Sequence, residues 1–276
     1  MVMKRHKRIA ASATTYILLI IALVWTIFPV YWMIKSSITV NSEMYVARPS
    51  LIAKHYTFEN YVDLFTKTEF PRALLNSLMI AFLTTVCCLL ISILGSYAMT
   101  RLKYPGRRFF KTSIIFSYLI PTAVLFVPMY VFVSKLGFYD NKWALLIIYP
   151  TTVVPYCCYM LMSYFKAIPY ALEEPALIDG CTRMKSLRYI ITPIALPGIA
   201  VVATFAFTMS WNEYLYAMIM TTSPSQQTAV VAISSFKYAD SAIWGRIMAA
   251  SVLTSLPVTI IYIVAQAQLI SGKSDG

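Results

Sequence analysis

Charge is what this sequence has least of. Lys, Arg, Asp and Glu make up 12% of its 276 residues, where a domain that faces water carries about a quarter. With 59% hydrophobic residues, much of the outer surface must face lipid. That excludes a cytosolic enzyme, a disordered chain and any large soluble domain. Acid is scarcer still: 11 Asp and Glu against 23 Lys and Arg give a formal net charge of +12. Such an excess can mark a nucleic-acid binder, but here the bases fall in short clusters between apolar runs. That pattern orients a membrane protein, and no nucleic-acid partner is expected. Histidine is nearly absent, with His6 and His55 alone. The cysteines are the vicinal pairs Cys87-Cys88 and Cys157-Cys158, both inside apolar runs, and Cys181 in a polar segment. None has metal-ligand spacing, so no metal site is expected. No paired catalytic constellation falls at membrane depth either, which argues against an intramembrane enzyme.

What the sequence does have is long apolar runs. A helix needs about 20 residues to cross the hydrocarbon core, and six runs qualify: 14–34, 76–99, 112–133, 143–165, 197–220 and 243–269. The first is no cleaved signal peptide, because it runs on into Trp25, Phe28, Tyr31 and Trp32 where small residues should mark a cleavage site. An all-α membrane protein of six transmembrane helices, a single domain over residues 1–276, is therefore expected. Aromatic residues, 14% of the chain, suit two membrane interfaces.

Orientation follows from the loops. Lys4, Arg5, Lys7 and Arg8 precede the first run. Arg101, Lys103, Arg107, Arg108 and Lys111 fill the second-to-third loop, and Lys166, Arg183, Lys185 and Arg188 the fourth-to-fifth. These segments alternate as they must if all lie on the cytoplasmic side, which places both termini there in a cell membrane. On the opposite side, 57–65 has helical spacing with Thr57 as its N-cap candidate. The 166–196 loop is too long for a plain connector. Residues 171–179 favour helix and end at Gly180, the expected C′ residue. A second amphipathic segment, 183–191, follows and is expected to stop at Pro193.

That loop carries a motif. Glu174-Pro175-Ala176-Leu177-Ile178-Asp179-Gly180, continued by Ile190-Ile191-Thr192-Pro193, resembles the EAA loop of ABC-importer permeases: Glu-Ala-Ala, three residues, Gly, nine residues, then Ile-x-Leu-Pro. Further segments are similar to the maltose-type carbohydrate branch in order and spacing. They are Phe58-Glu59-Asn60-Tyr61, Asn76-Ser77, Gly95-Ser96-Tyr97-Ala98-Met99-Thr100-Arg101-Leu102, Trp211-Asn212-Glu213-Tyr214 and Trp244-Gly245-Arg246-Ile247-Met248-Ala249-Ala250. The chain departs from the pattern at Pro175, at Thr192 and in a short tail. Pro175 either kinks a helix running from Tyr170 or stands in the first turn of one restarting near Glu174.

The resemblance implies the type I ABC-importer permease fold with a cytoplasmic helical coupling loop, 166–196. It implies one transmembrane subunit of a sugar or oligosaccharide importer, working with a second permease, an ABC ATPase dimer and an extracytoplasmic substrate-binding protein. It assigns ATPase coupling to Glu173, Glu174, Ala176, Leu177, Ile178, Asp179 and Gly180. No cofactor is expected in this chain, since ATP and Mg would sit on the ATPase. Gly272-Lys273-Ser274 looks like the end of a P-loop, but the required first glycine falls on Ala267. Alternatives are a permease for a non-sugar substrate, or an ion-coupled carrier, which would usually show internal repeats and several intramembrane ionisable groups. Trp211, Asn212, Glu213 and Tyr214 admit two readings. Carboxylate, amide and aromatic groups suit a sugar path; alternatively Glu213 pairs with Arg246 or with the backbone of a neighbouring helix and fixes packing. Asn76 and Ser77 read as interhelical hydrogen bonders. Pro121, Pro128, Pro150 and Pro155 mark either an irregular cavity wall or plain kinks.

Overall fold

The computed structural model describes residues 2–46, 48–236 and 244–271, with side chains over 14–46, 48–236 and 244–266. The tail from Gly272, Ile243 at the head of the sixth run, and the side chains of Lys4, Arg5, Lys7 and Arg8 lie outside this description. The described chain is almost entirely helical. Its helices are α1 (Val2–Ser37), α2 (Asn41–Met44), α3 (Glu59–Thr66), α4 (Phe70–Arg101), α5 (Arg107–Leu119), α6 (Thr122–Lys135), α7 (Ala144–Ala167), α8 (Glu174–Ile178), α9 (Arg183–Ser186), α10 (Thr192–Ile194), α11 (Leu196–Trp211), α12 (Leu215–Met220), α13 (Ala229–Ser235) and α14 (Trp244–Ser271).

Among the described residues, four helices are long and apolar enough to cross a membrane: Thr14–Ser37 within α1, α4, α7 and the 244–266 part of α14. Two bent pairs, α5 with α6 and residues 183–194 with α11, bring the number to six if each is one span. The third run, where Pro121 and Pro128 were expected to mark an irregular wall or kinks, is broken: its halves meet at 98°. Pro121 is the cause: Ile120 before it is extended, at φ −71° and ψ 122°, because the proline ring disfavours the helical region there. Pro150 and Pro155, by contrast, sit inside a continuous α7. The fifth run, expected over 197–220, is helical as α11 and α12 with a break at 212–214. Its upstream partner is the amphipathic segment, bent 83° from it.

The chain forms two compact units, one from residues up to 68 with 235–253, the other from 69–234 with the chain beyond 254. In the first, two of the resembling segments meet. Asn60 of α3 is buried and donates to the carbonyls of Ser37 (3.0 Å) and Thr39 (3.1 Å). Gly245 lies against the same amide, which a β-carbon there would overlap. Arg246 pairs with Asp63 at 3.0 Å. Thr57 accepts from the Glu59 N–H at 3.1 Å, close to its expected capping role.

In the second unit the core lies among α4, α7 and α11. One cluster joins Cys88, Leu161, Phe165, Ile191, Val202 and Ala206; another joins Ile80, Leu145, Ile148, Tyr149 and Met220. Gly95-Ser96 is where α4 approaches α7 closely: the Ser96 hydroxyl donates to the Cys158 carbonyl at 3.0 Å, and small residues permit that distance between membrane helices. At the C-terminal end of α4, Arg107 donates to the carbonyls of Met99 (2.9 Å), Thr100 (3.1 Å) and Leu102 (3.1 Å). A helix end leaves such carbonyls without partners, so Arg107 closes α4 besides adding to the basic loop. Asn76 joins α4 to the 221–228 loop rather than to a neighbouring helix, whereas Ser77 makes the expected interhelical bond, to the first residue of α13. The Asn76 amide donates to the carbonyls of Ser225 and Gln227 and accepts from Lys142, while Ser77 accepts from the Ala229 N–H.

Candidate coupling site and substrate path

After α7 the chain turns at Pro169 into a 3₁₀ turn, Tyr170–Leu172, and then into α8. Pro175 falls in the first turn of α8, where its missing N–H has no helical acceptor to lose and its fixed φ suits the helix. The helix thus restarts at Glu174, and no kink is needed. It ends in a Schellman motif: the Cys181 N–H donates to Ala176 O at 2.9 Å and the Gly180 N–H to Leu177 O at 3.2 Å. This closure requires a left-handed residue, and Gly180 supplies it at φ +85°. Thr182 then caps α9, accepting from the Lys185 N–H at 3.4 Å. The second segment does not stop at Pro193. It passes through a π-helical turn, Leu187–Ile191, into α10, in which the proline again sits at the start of the helix. The change of direction comes only at Ala195, whose N–H still reaches Ile191 O at 2.9 Å.

The two adjacent acids have opposite surroundings. Glu174, Pro175, Ile178 and Asp179 are exposed, Ile178 at 79%, and Ala176 and Leu177 are half-buried. Together they form an outward face that is acidic and apolar at once. Glu173 is fully buried. Tyr97 donates its hydroxyl to the Glu173 carboxylate, Arg101 lies 3.5 Å from it and Arg183 3.6 Å. Of the seven residues assigned to coupling, six therefore belong to or flank one exposed element, and Glu173 points into the chain. Tyr97, Arg101 and Arg183 were not singled out from the sequence as partners of this loop. The signal was there: Tyr97 and Arg101 stand four residues apart, one helical turn, inside the Gly95–Leu102 segment.

The four residues 211–214 have four different surroundings. Trp211 closes α11, 2% exposed, stacked on Phe207 with ring centroids 5.5 Å apart and donating its indole N–H to Thr254 O at 3.1 Å. Asn212 is exposed. Glu213 accepts from the N–H groups of Tyr216 (2.9 Å) and Ala217 (3.1 Å), so it caps α12. Tyr214 packs beside the Ile80–Tyr149 cluster. The pairing suggested for Glu213 needs correcting. Its acceptors serve the first turn of the helix that follows it, and Arg246 is taken by Asp63. The arrangement favours packing over a sugar contact at this carboxylate. Glu213→Gln keeps one acceptor and turns an amide NH₂ towards the other N–H, which should cost about 1 kcal/mol as for other lost caps. Thermal unfolding in detergent should shift down while substrate selectivity is unchanged; altered selectivity at unchanged stability would instead assign Glu213 to the path.

Residues 89–273, covering α7, the coupling loop and α11, match the family described as binding-protein-dependent transport system inner membrane component. The chain belongs to this family. Relatives of full length agree. The chain is 34% identical over 276 residues to the inner membrane ABC transporter permease protein YcjP of Escherichia coli (strain K12), covering 99% of each. It is 33% identical over 253 residues to the trehalose/maltose transport system permease protein MalG of Thermococcus litoralis, covering 91% of this chain and 90% of the relative. Among solved structures, it superimposes on a chain of a bacterial ABC transporter involved in the import of the acidic polysaccharide alginate with a TM-score of 0.83 at 21% identity, covering 93% and 95% of the two chains. The fold is that of a type I ABC-importer permease. As a family member the chain is a multi-pass membrane component of a transport system and not an enzyme.

Proposed function

We propose that this chain is one of two transmembrane subunits of an ATP-driven importer for a sugar or oligosaccharide. The observation that carries the reading is the exposed α8 face, acidic and apolar, rooted on α4 and α7 within a chain of permease ancestry. The carbohydrate class rests on relatives named for such substrates, among them a diacetylchitobiose uptake permease of Streptomyces coelicolor, 29% identical over 257 residues, and the trehalose/maltose permease. Glu174, Ala176, Leu177, Ile178, Asp179 and Gly180 form the docking element for an ABC ATPase dimer, which binds ATP and Mg; this chain carries no cofactor of its own. A second permease completes the pathway, and an extracytoplasmic binding protein delivers substrate. Closure of the ATPase pair on ATP pushes α8 and opens the pathway outward; hydrolysis resets it. Both termini and the 166–196 loop lie on the cytoplasmic side, as the Lys and Arg clusters require.

The test is reconstitution. Proteoliposomes holding the complex purified through this chain should take up carbohydrate presented by the associated binding protein only with ATP on the ATPase side. Uptake by this chain alone, driven by an ion gradient, would replace the reading with that of an ion-coupled carrier.

A further inference from the structure

Glu173 and Glu174 are neighbours, yet the first has no access to any partner subunit. A carboxylate taken out of water loses several kcal/mol of solvation unless opposite charge and hydrogen bonds replace it. Here the replacements are three side chains from two segments, α4 and α9. Tyr97 of α4 donates to Oε1. Arg101, one turn further along α4, brings Nε to 3.5 Å from Oε2. Arg183 at the start of α9 brings its guanidinium to 3.6 Å from Oε1. Arg101 is itself fixed elsewhere: it donates to Phe165 O at 2.9 Å and Ile168 O at 2.6 Å, the carbonyls at the end of α7. Tyr170 lies under the Arg101 guanidinium, 5.8 Å from ring centre to carbon, and its hydroxyl meets Arg183 at 3.3 Å. One carboxylate thus joins α4, the end of α7, the 3₁₀ turn and α9.

The docking helix itself has no such hold. None of the five residues of α8 is fully buried and only Ala176 and Leu177 are half-buried, so apolar packing gives its direction relative to the spans little hold. Glu173 occupies the N-cap position of α8. We propose that Glu173 is a positioning residue for energy coupling: held by Tyr97, Arg101 and Arg183, it locks the docking helix to α4 and α7 so that a push on α8 moves those helices with it. The inference rests on the reading that α8 docks on the ATPase, and it gives Glu173 a task different from that of Glu174. Without the carboxylate charge, two guanidinium groups are left at the same node with no acid between them, and the lock should open.

Spin labels on the native Cys181, half-exposed and tied to the end of α8 by its N–H to Ala176 O, and on Lys103→Cys, an exposed position, with Cys87 replaced by Ser, report the distance from the docking helix to the end of α4. In the complex purified through this chain, the otherwise unchanged protein should give one narrow distance, the same without nucleotide and after trapping with Mg-ATP and orthovanadate. Glu173→Gln, similar in size but uncharged, should at least roughly double the width of the distribution and make it respond to the trap, while co-purified ATPase stays within about twofold. Tyr97→Phe, which removes only the hydroxyl, should do the same to a smaller degree and serves if Glu173→Gln fails to insert. A narrow, nucleotide-independent distance in both variants overturns the proposal. So does loss of ATPase at unchanged distance, which would mean that the carboxylate serves docking. If the unsubstituted chain recovers no ATPase, the docking reading fails, and the nucleotide-free width still decides whether Glu173 fixes α8.

Discussion

Gly180→Val is expected to reduce ATP-driven uptake about tenfold or more while the chain still inserts in the membrane. The position has open space around it: an added β-carbon would meet nothing within 4 Å. The penalty is therefore conformational. At φ +85° a β-carbon costs about 1–2 kcal/mol, more for a branched residue, and about 1.4 kcal/mol already shifts a local equilibrium tenfold. The strain is relieved by unwinding the Schellman closure, which frees the carbonyls of Ala176 and Leu177 and lets α9 point elsewhere. Docking through α8 then loses its fixed geometry, and retention of the ATPase should fall together with uptake. Gly180→Asn separates conformation from volume, because Asn tolerates the left-handed region; it should keep most of the uptake. Uptake, ATPase co-purification and membrane abundance on the same strains measure all three effects. Normal uptake and normal retention in Gly180→Val would remove α8 from the coupling role.

Gly245→Ala should have the opposite signature, damaging the fold rather than the coupling. Its β-carbon would be driven into the Asn60 amide. That amide cannot swing away freely, because it is buried and donates to both Ser37 O and Thr39 O. Overpacking costs about 1–3 kcal/mol, and displacing Asn60 adds about 1–3 kcal/mol for carbonyls left unpaired. Membrane abundance and detergent melting temperature should both fall clearly. Adding Asn60→Ala relieves the overlap but not the lost hydrogen bonds, so the double variant should recover only part of the loss. Full stability of Gly245→Ala would show that the Asn60 contact contributes little.

These two glycines also show what the sequence could and could not reveal. Gly180 was legible because a helix stop followed by a left-handed residue is a local rule, written within seven residues. The apolar runs were legible for the same reason, and Pro175 came down to two options that only its position in α8 could separate. Gly245 and Asn60 were legible as segments that resemble a family, but their contact joins positions 185 residues apart and has no local signature. The same holds for Glu173. Two consecutive acids in a polar loop look alike in sequence, and only the arrival of Tyr97, Arg101 and Arg183 makes one of them internal. The 98° bend at Pro121 and the continuous helix through Pro150 and Pro155 illustrate a third limit. Proline weakens a helix at all of these positions, and packing decides where the chain breaks. Pro193 misled for a related reason: the helical turns run on through it by way of the π-helical turn at Leu187–Ile191, so the proline does not end the segment.

The central claim, that the 174–180 element is the surface through which a separate ATPase drives this permease, is tested most directly by photocrosslinking from Ile178. This apolar side chain is 79% exposed at the end of α8, so a photoreactive amino acid there should find whatever covers it. Irradiation of native membranes should join this chain to an ABC ATPase, and the adduct should change in yield when ATP is added. Efficient crosslinking at Ile178 to lipid or to this chain alone, in membranes where the transporter is active, would contradict the account.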